Sequence, residues 1–338
     1  MKDRGQFYTK RNPFEHPAFM SWLAIIPKQE RVLGFKEPFA GAGDIPGFIQ
    51  SMGIDEPWKC WDKYPVRSKF KTIRRDTLNS YPTKRGIVIT NPPWGTSYHL
   101  ARIGLREADA VRTLRASGYD DLYKFALDKM LSVDRFVAAL LPDSFLGQHD
   151  FKDRLFAVVS LPGMKPFDNT LHPTCLALFV GNETDNFQIW SNLEYLGNVR
   201  DLEKYEIEKR DGPNWKFNDP KGKIGLITVD GADGIGMMFV LGDQIDPQDV
   251  DKSSRVRTRI SGVQDEIDTK GLIDSANDIL QDYRSKTKDV FLTTFRWAEQ
   301  TGKFRKRLDY RRARMILNLA QSKMGGPPQL PLDKHREV

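Results

Sequence analysis

The sequence predicts an α/β fold, with a mostly parallel seven-stranded sheet in a first domain and a smaller second lobe. Short apolar segments alternate with helical stretches through the first half of the chain, a pattern typical of crossover units in a parallel sheet. The 338 residues are 39% hydrophobic, which suffices for the core of one or two soluble domains. After Gly181 the sequence becomes polar with scattered aromatic residues, and a second region is predicted to begin about there.

Seven short apolar segments are the predicted strands of the sheet. They are residues 31–36, 58–61, 71–74, 87–90, 135–141, 157–161 and 176–180. Residues 45–52 and 122–131 are predicted helices. The second helix opens with Asp120 and Asp121, whose charge suits the positive end of a helix dipole.

The second region is less regular. Residues 223–229 and 236–241 are predicted strands, residues 243–263 an extended loop, and residues 271–284 and 289–320 helices. The predicted organisation is a first domain over residues 1–185, a second region over residues 186–325 and a flexible tail over residues 326–338, where Gly and Pro interrupt any helix.

Composition excludes several classes of protein. The two cysteines lie in unrelated contexts, so neither a disulfide framework nor a metal site is expected. No apolar run approaches the roughly 18–20 residues of a membrane span, and the first residues lack the apolar core of a signal peptide. A soluble, cytoplasmic protein is the expectation.

Asn91-Pro92-Pro93-Trp94 is the most informative motif, because it directly follows the predicted buried strand 87–90. Proline lacks a backbone N–H and restricts the residue before it to an extended conformation, so Asn91 is held at the end of the strand. In open parallel sheets this edge faces the ligand crevice. An amide followed by a flat aromatic ring suits a planar base.

A second motif, Glu37-Pro38-Phe39-Ala40-Gly41-Ala42-Gly43, follows the first predicted strand. Gly41 and Gly43 would let the backbone approach a ligand, although the motif lacks the third glycine of a dinucleotide fingerprint. Asp62, about twenty residues later, is placed to bind a ribose diol. Asp76 is a candidate for an adenine amino group, or alternatively a helix N-cap.

The order of motifs along residues 5–180 is Gln6-Phe7-Tyr8-Thr9, the glycine loop, Asp62, Asp76, Asn91-Pro92-Pro93-Trp94 and Asp121-Leu122-Tyr123. This order resembles the gamma class of S-adenosylmethionine-dependent DNA adenine-N6 methyltransferases. The resemblance implies a Rossmann-like methyltransferase domain followed by a target-recognition lobe. It also implies base flipping, a bacterial or phage-type enzyme, and a possible partner restriction endonuclease.

The resemblance also implies roles for individual residues. The expected cofactor-binding residues are Tyr8, Thr9, Glu37, Phe39, Gly41, Gly43, Asp62, Asp76, Asp121 and Tyr123. The expected catalytic residues are Asn91, Pro92, Pro93 and Trp94. The Asn91 oxygen and the Pro92 carbonyl would accept the N–H groups of the target amine, and Trp94 would stack on the flipped base.

Several alternatives remain open from sequence. A cytosine carbon-5 enzyme is excluded, because neither cysteine follows a proline. Cytosine-N4 DNA methyltransferases, RNA adenine-N6 methyltransferases and protein-glutamine methyltransferases use related motifs. A nucleic-acid-binding protein with a degenerate cofactor loop is the alternative outside the enzymes.

The net charge of +7 favours a polyanionic partner such as double-stranded DNA. Residues 301–338 carry ten basic and three acidic side chains, so the whole formal excess lies there. Lys303, Arg307, Arg311 and Arg314 share one side of the predicted helix and are candidate phosphate contacts, or alternatively a solvated face. Arg255, Arg257 and Arg259 alternate as on an extended chain and are candidates to enter a DNA groove.

Overall fold

The computed structural model describes residues 12–96, 109–147, 150–162, 164, 173–231, 236–250, 256–263, 267–298 and 304–324. The chain divides into two compact units, Met1–Arg200 and Asp201–Val338. The division lies beyond the predicted boundary at residue 185, because two further strands after that residue pair with the first sheet. The tail 326–338 and the N-terminal candidates Tyr8 and Thr9 lie outside the described residues.

The first unit is built on a nine-stranded sheet in the part of the chain that the structure describes. Its strands are β1 (Phe35–Glu37), β2 (Trp58–Asp62), β3 (Thr72–Arg74), β4 (Ile87–Thr90), β5 (Phe136–Pro142), β6 (Leu155–Ser160), β7 (Thr174–Phe179), β8 (Gln188–Ser191) and β9 (Glu194–Asn198). The strand order is β3-β2-β1-β4-β5-β7-β6-β8-β9.

Within the order β3-β2-β1-β4-β5, each strand is parallel to the next. Strand β7 is antiparallel to both β5 and β6, and the edge strand β9 is antiparallel to β8. The order β3-β2-β1-β4-β5 is that of a Rossmann-like doubly wound sheet. The predicted α/β class with a mostly parallel sheet is therefore confirmed, and β8 and β9 extend the predicted seven strands.

The predicted strand at 87–90 has the same bounds in the structure, because all four of its residues are buried and Asn91-Pro92 ends it. The first strand is shorter than predicted. Residues Lys28–Arg31 form a helical turn, and Gly34 has a φ of +78°. The chain therefore becomes extended only from Phe35 onward.

The helices of the first unit are α1 (Pro17–Ile25), α2 (Lys28–Arg31), α3 (Asp44–Ser51), α4 (Asp109–Ser117), α5 (Leu122–Val133) and α6 (Val199–Glu203), the last of which crosses the division between the units. Predicted helices 45–52 and 122–131 correspond to α3 and α5. Helix α1 packs Phe19 and Trp22 into the core with Phe35 and Ile89. The indole N–H of Trp22 donates to the Phe179 carbonyl at 2.8 Å, which fixes α1 against the sheet.

The second unit contains a four-stranded antiparallel sheet, a two-stranded sheet and two long helices among its described residues. The strands are β10 (Lys216–Phe217), β11 (Ile224–Ile227), β12 (Met238–Leu241), β13 (Arg257–Ser261), β14 (Thr293–Ala298) and β15 (Phe304–Arg307), and the helices are α7 (Thr269–Thr287) and α8 (Tyr310–Lys323). The larger sheet has the order β10-β13-β11-β12. Its core joins Ile224, Leu226 and Phe239 to apolar residues of both helices.

Two predictions for this region are wrong in part. The predicted loop 243–263 contains β13, which pairs with β11 over four residue pairs. The predicted helix 289–320 is a hairpin of β14 and β15 followed by α8. Helix α7 ends at Thr287, before Lys288 and Asp289, which both have positive φ. Helix α8 begins only at Tyr310, after its N-cap Asp309, whose carboxylate accepts from the Arg312 N–H at 2.8 Å.

Within the described ranges, no helix is long and apolar enough to cross a membrane. Among the same residues, no group of three or more His, Cys, Asp or Glu side chains is arranged to hold a metal ion. Cys60 and Cys175 are both buried thiols.

Candidate active site

The carboxyl ends of β1, β2, β3 and β4 meet at one edge of the sheet, because these strands are adjacent and parallel. Each strand brings a candidate residue to this edge. Glu37 and Asp62 are the last residues of β1 and β2, and Asn91 directly follows β4. The fold therefore brings together three of the side chains that the sequence singles out.

The glycine loop after β1 is tied to the end of β2. The Ala40 N–H donates to the Trp61 carbonyl at 2.8 Å, and the Gly41 N–H donates to Asp62 Oδ2 at 2.9 Å. Gly41 and Gly43 have φ of +51° and +80°, conformations that favour glycine, and Gly43 is the N-cap of α3. A Cβ on Gly43 would also lie 3.0 Å from the Phe70 ring. The loop shape therefore depends on glycine.

The Asp62 carboxylate fixes the shape of the glycine loop. It is 6% exposed, and its second oxygen, Oδ1, accepts from the Tyr64 N–H at 2.7 Å. Each oxygen of a carboxylate can accept more than one hydrogen bond, so Asp62 keeps capacity for a ligand hydroxyl. The sequence did not indicate that the same side chain also holds Gly41.

Glu37 is a buried carboxyl group with one oxygen that meets no partner among the described residues. Oε1 accepts from the Phe39 N–H at 3.0 Å and from the Thr90 hydroxyl, whereas no described residue donates a hydrogen bond to the buried Oε2. Burial raises the pKa of Glu37 to about 8. A buried acceptor without a partner costs free energy, and a donor group on a ligand would remove that cost.

Thr90 is a residue of this site that the sequence analysis missed. It is fully buried as the last residue of β4, and its hydroxyl connects the strand that precedes Asn91 to Glu37 on β1. The one available signal was a hydroxyl residue at the end of an otherwise apolar strand. Its partner lies 53 residues away in sequence, so the pairing itself was not predictable.

The Asn91-Pro92-Pro93-Trp94 segment lies against the middle of the sheet. Asn91 is 9% exposed and Trp94 is 5% exposed. The Trp94 indole N–H donates to the Leu140 carbonyl on β5 at 3.2 Å. In this arrangement the indole is part of the core, and a base could stack on it only after one face of the ring is uncovered.

The segment after Trp94 is held by Asp121, the N-cap of α5. Asp121 Oδ1 accepts from the Gly95 N–H at 2.9 Å and from the Tyr123 N–H at 3.3 Å. Tyr123 is 3% exposed and packs edge-on against Phe145, with ring centroids 6.4 Å apart. Burial raises the pKa values of both Asp121 and Tyr123. Cofactor contact by these two residues stays a prediction.

Asp76 lies two residues beyond β3 and forms an ion pair with Lys63, with Nζ and Oδ2 2.8 Å apart. The Asn79 amide donates to the same oxygen at 3.0 Å. The Asp76 carboxylate is therefore already bonded to Lys63 and Asn79. Its contact with a cofactor adenine stays a prediction.

The candidate DNA contacts in the second unit are distributed over two elements. Arg257 and Arg259 lie on β13, with the buried Thr258 between them, so their alternation on an extended chain is confirmed. The Arg259 guanidinium donates to the Ile245 and Pro220 carbonyls, each at 2.7 Å, and Arg257 lies 3.5 Å from Asp249. Arg255 and Lys303 lie outside the described residues.

Arg307 lies on β15 and not on a helix, so the predicted four-residue helical face is wrong. Arg311 and Arg314 are exposed on α8. The Arg314 guanidinium donates to the Trp215 carbonyl at 3.0 Å and lies 5.4 Å from the centroid of the Phe217 ring. Phe217 in turn stacks on Tyr310, with centroids 4.5 Å apart.

Several solved structures are similar to parts of this chain, all at low sequence identity. No protein-family model matches the chain, and no curated protein matches it. A protein of Listeria monocytogenes described as a class I S-adenosylmethionine-dependent methyltransferase is 12% identical, with a TM-score of 0.37 over 52% of this chain and 64% of its own. The methyltransferase subunit of a type I restriction-modification system of Streptococcus thermophilus is 16% identical, with a TM-score of 0.36 over 61% and 50%.

The type IIL restriction-modification enzyme MmeI in complex with DNA is 11% identical, with a TM-score of 0.38 over 82% of this chain and 50% of that enzyme. The match thus spans less than two thirds of each of these three structures. Identities and TM-scores in this range do not identify the family of this chain. The functional assignment therefore depends on the geometry of the site.

Proposed function

We propose that the chain is an S-adenosylmethionine-dependent methyltransferase that acts on the N6 amino group of adenine in double-stranded DNA, at a short defined sequence, with base flipping. One observation supports this most directly. Asn91 is held at the carboxyl end of β4, and the Thr90 hydroxyl joins that strand end to the buried Glu37 of the neighbouring glycine loop. A methyl donor bound at the loop would thus lie beside the amide.

The donor set fits this cofactor. Glu37 Oε2 is a buried acceptor that meets no donor in the part of the chain that the structure describes, which suits the positively charged amino group of the methionine part. Asp62 and the glycine loop suit the ribose, as in nucleotide sites at the ends of parallel strands. When bound, S-adenosylmethionine supplies an electrophilic methyl group on a sulfonium centre. Tyr8, Thr9, Phe39, Asp76 and Tyr123 are proposed to complete its site by contact, and Asp121 through its place as the N-cap of α5.

Asn91 and Pro92 would orient the acceptor amine. An exocyclic amine of a purine is a weak nucleophile because its lone pair is conjugated with the ring. If the Asn91 oxygen and the Pro92 carbonyl each accept one N–H, the nitrogen becomes pyramidal and its lone pair points away from the ring. The neutral amide cannot act as a base, so Asn91 orients the amine and stabilises the positive charge that develops on it.

Trp94 and Pro93 would form the wall of the base pocket. The hydrogen bond from Trp94 to the Leu140 carbonyl fixes the indole plane. Base–aromatic stacking contributes about 1–3 kcal/mol per base, which is comparable to the few kcal/mol needed to flip a base. The proposal requires the entering base to uncover one face of the ring.

Double-stranded DNA is the proposed acceptor because residues 301–338 carry ten basic and three acidic side chains, an excess equal to the net charge of the whole chain. Cytosine-N4, RNA adenine-N6 and protein-glutamine methylation are the competing reactions of the same site. We further propose that the protein acts in the cytoplasm of a bacterial or phage-type system, with a restriction endonuclease as a separate partner.

Calorimetric titration with S-adenosylmethionine separates an enzyme from a DNA-binding protein that has lost its cofactor. We expect binding to one site per chain, weakened by Asp62→Ala. If no heat of binding is observed at millimolar cofactor, every methyltransferase assignment is wrong. DNA binding without cofactor binding would then favour the non-enzymatic alternative.

Because the pKa of Glu37 is raised, the free energy of unfolding of the protein without cofactor is expected to depend on pH. Its pKa is about 8 in the folded chain and 4.5 for the unperturbed group, so its contribution to stability is fully present below pH 4.5 and is lost as the pH rises toward about 8. The neutral variant Glu37→Gln does not undergo this loss. We therefore expect Glu37→Gln to gain stability relative to wild type between pH 5 and 8, by up to about 5 kcal/mol. Urea unfolding at several pH values measures the difference.

Ionisation of the same carboxyl group is expected to have the opposite effect on the affinity for the cofactor. A cationic amino group at Oε2 favours ionised Glu37, so cofactor affinity in wild type should rise as the pH rises toward 8. Glu37→Gln should bind the cofactor more weakly, with an affinity that no longer rises over this range. Parallel pH profiles for the two proteins would show that Glu37 does not contact the cofactor.

Substitution of Arg311 and Arg314 is expected to change the salt dependence of DNA binding. Each phosphate contact that is lost should reduce the log–log slope by about 0.9. We expect Arg311→Ala with Arg314→Ala to flatten the slope by about 0.9–1.8. Arg85→Ala serves as the control, because Arg85 is exposed before β4, at the other end of that strand from Asn91. Point variants are required, since α8 supplies the buried Ala313, Ile316 and Leu317.

A further inference from the structure

We propose that Asp121 is a positioning residue for methyl transfer, which fixes the backbone directly after Trp94 and thereby the orientation of Asn91. This inference rests on the proposed function of the Asn91–Trp94 segment. It assigns to Asp121 a role separate from cofactor contact: its carboxylate joins two backbone segments that are distant in sequence.

The geometry consists of three contacts between the segment after Trp94 and the start of α5. Asp121 Oδ1 accepts from the Gly95 N–H at 2.9 Å, across 26 residues of sequence. The Leu122 N–H donates to the Gly95 carbonyl at 3.2 Å. Thr96 and Asp121 form an isolated antiparallel bridge. Both polar groups of the Gly95 backbone are therefore bonded to residues at the start of α5.

An ordinary N-cap would need only one of these contacts. Asp121 caps α5 through the Tyr123 N–H at 3.3 Å, and that bond would satisfy the helix start by itself. The shorter bond from the same oxygen goes to Gly95, which belongs to a different segment. Gly95 has a φ of +144°, a conformation that favours glycine, so the backbone at the point where the carboxylate holds it depends on glycine.

Fixing Gly95 has a direct consequence for Asn91. Pro92 and Pro93 leave few freely rotating bonds between Asn91 and Trp94, and Trp94 is bonded to the Leu140 carbonyl. The segment is thus held at β4, at β5 and at α5. Loss of the third attachment would let its far end move, and a misplacement of about 1 Å can cost about 100-fold in rate.

Three substitutions separate this role from helix capping. Asp121→Asn keeps an oxygen that can accept both N–H groups. Asp121→Ser keeps an N-cap but is too short to reach Gly95 as well, and Asp121→Ala removes both functions. Asp268→Ser is the matched control, because Asp268 caps α7 by accepting from the Lys270 N–H at 3.0 Å and, among the described residues, its side chain accepts from no other segment.

Two readouts are needed, kinetics and hydrogen exchange. We expect Asp121→Ser to lower kcat about 10- to 100-fold while the cofactor Kd changes less than about threefold. Asp121→Asn should restore kcat to within about threefold of wild type, and Asp268→Ser should leave it unchanged. Exchange measured by mass spectrometry should become faster in peptides covering residues 91–96 of Asp121→Ser, and stay slow in residues 122–133.

The proposal is overturned if Asp121→Ser retains the wild-type kcat, or if exchange over residues 91–96 is unchanged. It is also overturned if kcat, cofactor binding and α5 protection are lost together, which would show a structural role only. A wild-type protein that methylates no acceptor would refute the proposed function instead. In that case the exchange measurement alone decides whether Asp121 fixes the segment.

Discussion

Asn91→Ala is expected to lower the turnover of methyl transfer by about 100- to 1,000-fold, the usual cost of removing one group that stabilises developing charge. Cofactor affinity should change little, because Glu37 and Asp62 hold the proposed cofactor site on β1 and β2. The expected result is therefore a loss in kcat with a nearly constant Kd for S-adenosylmethionine. Single-turnover kinetics and calorimetry on the same preparation measure both quantities.

Two further variants make this result specific. Asp62→Ala removes the acceptor of the Gly41 N–H and should mainly weaken cofactor binding. Asn182→Ala changes the same side chain at an exposed position, where its oxygen accepts from Arg135, and should leave both quantities unchanged. An equal loss of cofactor affinity in Asn91→Ala and Asp62→Ala would contradict the separate roles of the two residues.

Lys36→Met is expected to destabilise the first unit by about 3–5 kcal/mol, because it would leave a buried carboxylate unpaired. The side chains of Lys36 and Asp134 are 2% and 0% exposed, and Nζ lies 2.8 Å from Oδ2. Nζ also donates to the Lys84 carbonyl at 2.9 Å. Methionine keeps most of the apolar stem, so the substitution tests the charge and not the packing.

The surroundings of Asp134 explain why the loss should be large. Its Oδ1 accepts from the Gly86 N–H at 2.9 Å, and its Oδ2 accepts from the Tyr81 hydroxyl at 2.7 Å. These groups position Asp134 but cannot neutralise it. Urea unfolding followed by circular dichroism measures the effect. Lys204→Met is the control, because Lys204 pairs with Asp201 at an exposed position and should contribute little.

A change as small as that of the control would show that Asp134 is neutral in the folded chain, or that water reaches it in the variant.

The position of this ion pair matters for the site. It lies at the start of β5 and beside Gly86, at the opposite end of β4 from Asn91. It therefore holds the central strands together without entering the proposed reaction.

The central sheet was predictable because its signals are local. Ile87–Thr90 is a run of buried residues ended by Asn91-Pro92, so the sequence alone defines both ends of the strand. The glycine loop likewise carries its own conformational requirement at Gly41 and Gly43. Local sequence also places Asn91 and Asp62 at the ends of strands.

The contacts that complete the site are non-local, and the sequence does not show them. Thr90 meets Glu37 across 53 residues, and Asp121 meets Gly95 across 26. Trp94 looks like an exposed stacking surface in the sequence, but its N–H reaches the Leu140 carbonyl across 46 residues and the ring is buried. Each pairing depends on the order of strands in the sheet.

The basic segment of the second unit shows how one local pattern can fit two structures. Spacing of three and four residues suggested one helix through Arg307 and Arg311. The β-branched and aromatic residues of Thr293–Ala298 instead form a strand, and Phe304–Arg307 pairs with it. The bridge between Val229 and Arg307 adds a further non-local contact, which extends the strand at the expense of the helix.

The central claim is that Asn91 orients an adenine amino group for methyl transfer in DNA. The most direct test supplies S-adenosylmethionine labelled on its methyl group together with double-stranded DNA, RNA or protein in separate reactions, and identifies the labelled product after hydrolysis. We predict label in DNA as N6-methyladenine with the wild-type protein, and about 100-fold less with Asn91→Ala. Label in N4-methylcytosine, in RNA, in protein glutamine or in no acceptor would contradict the claim.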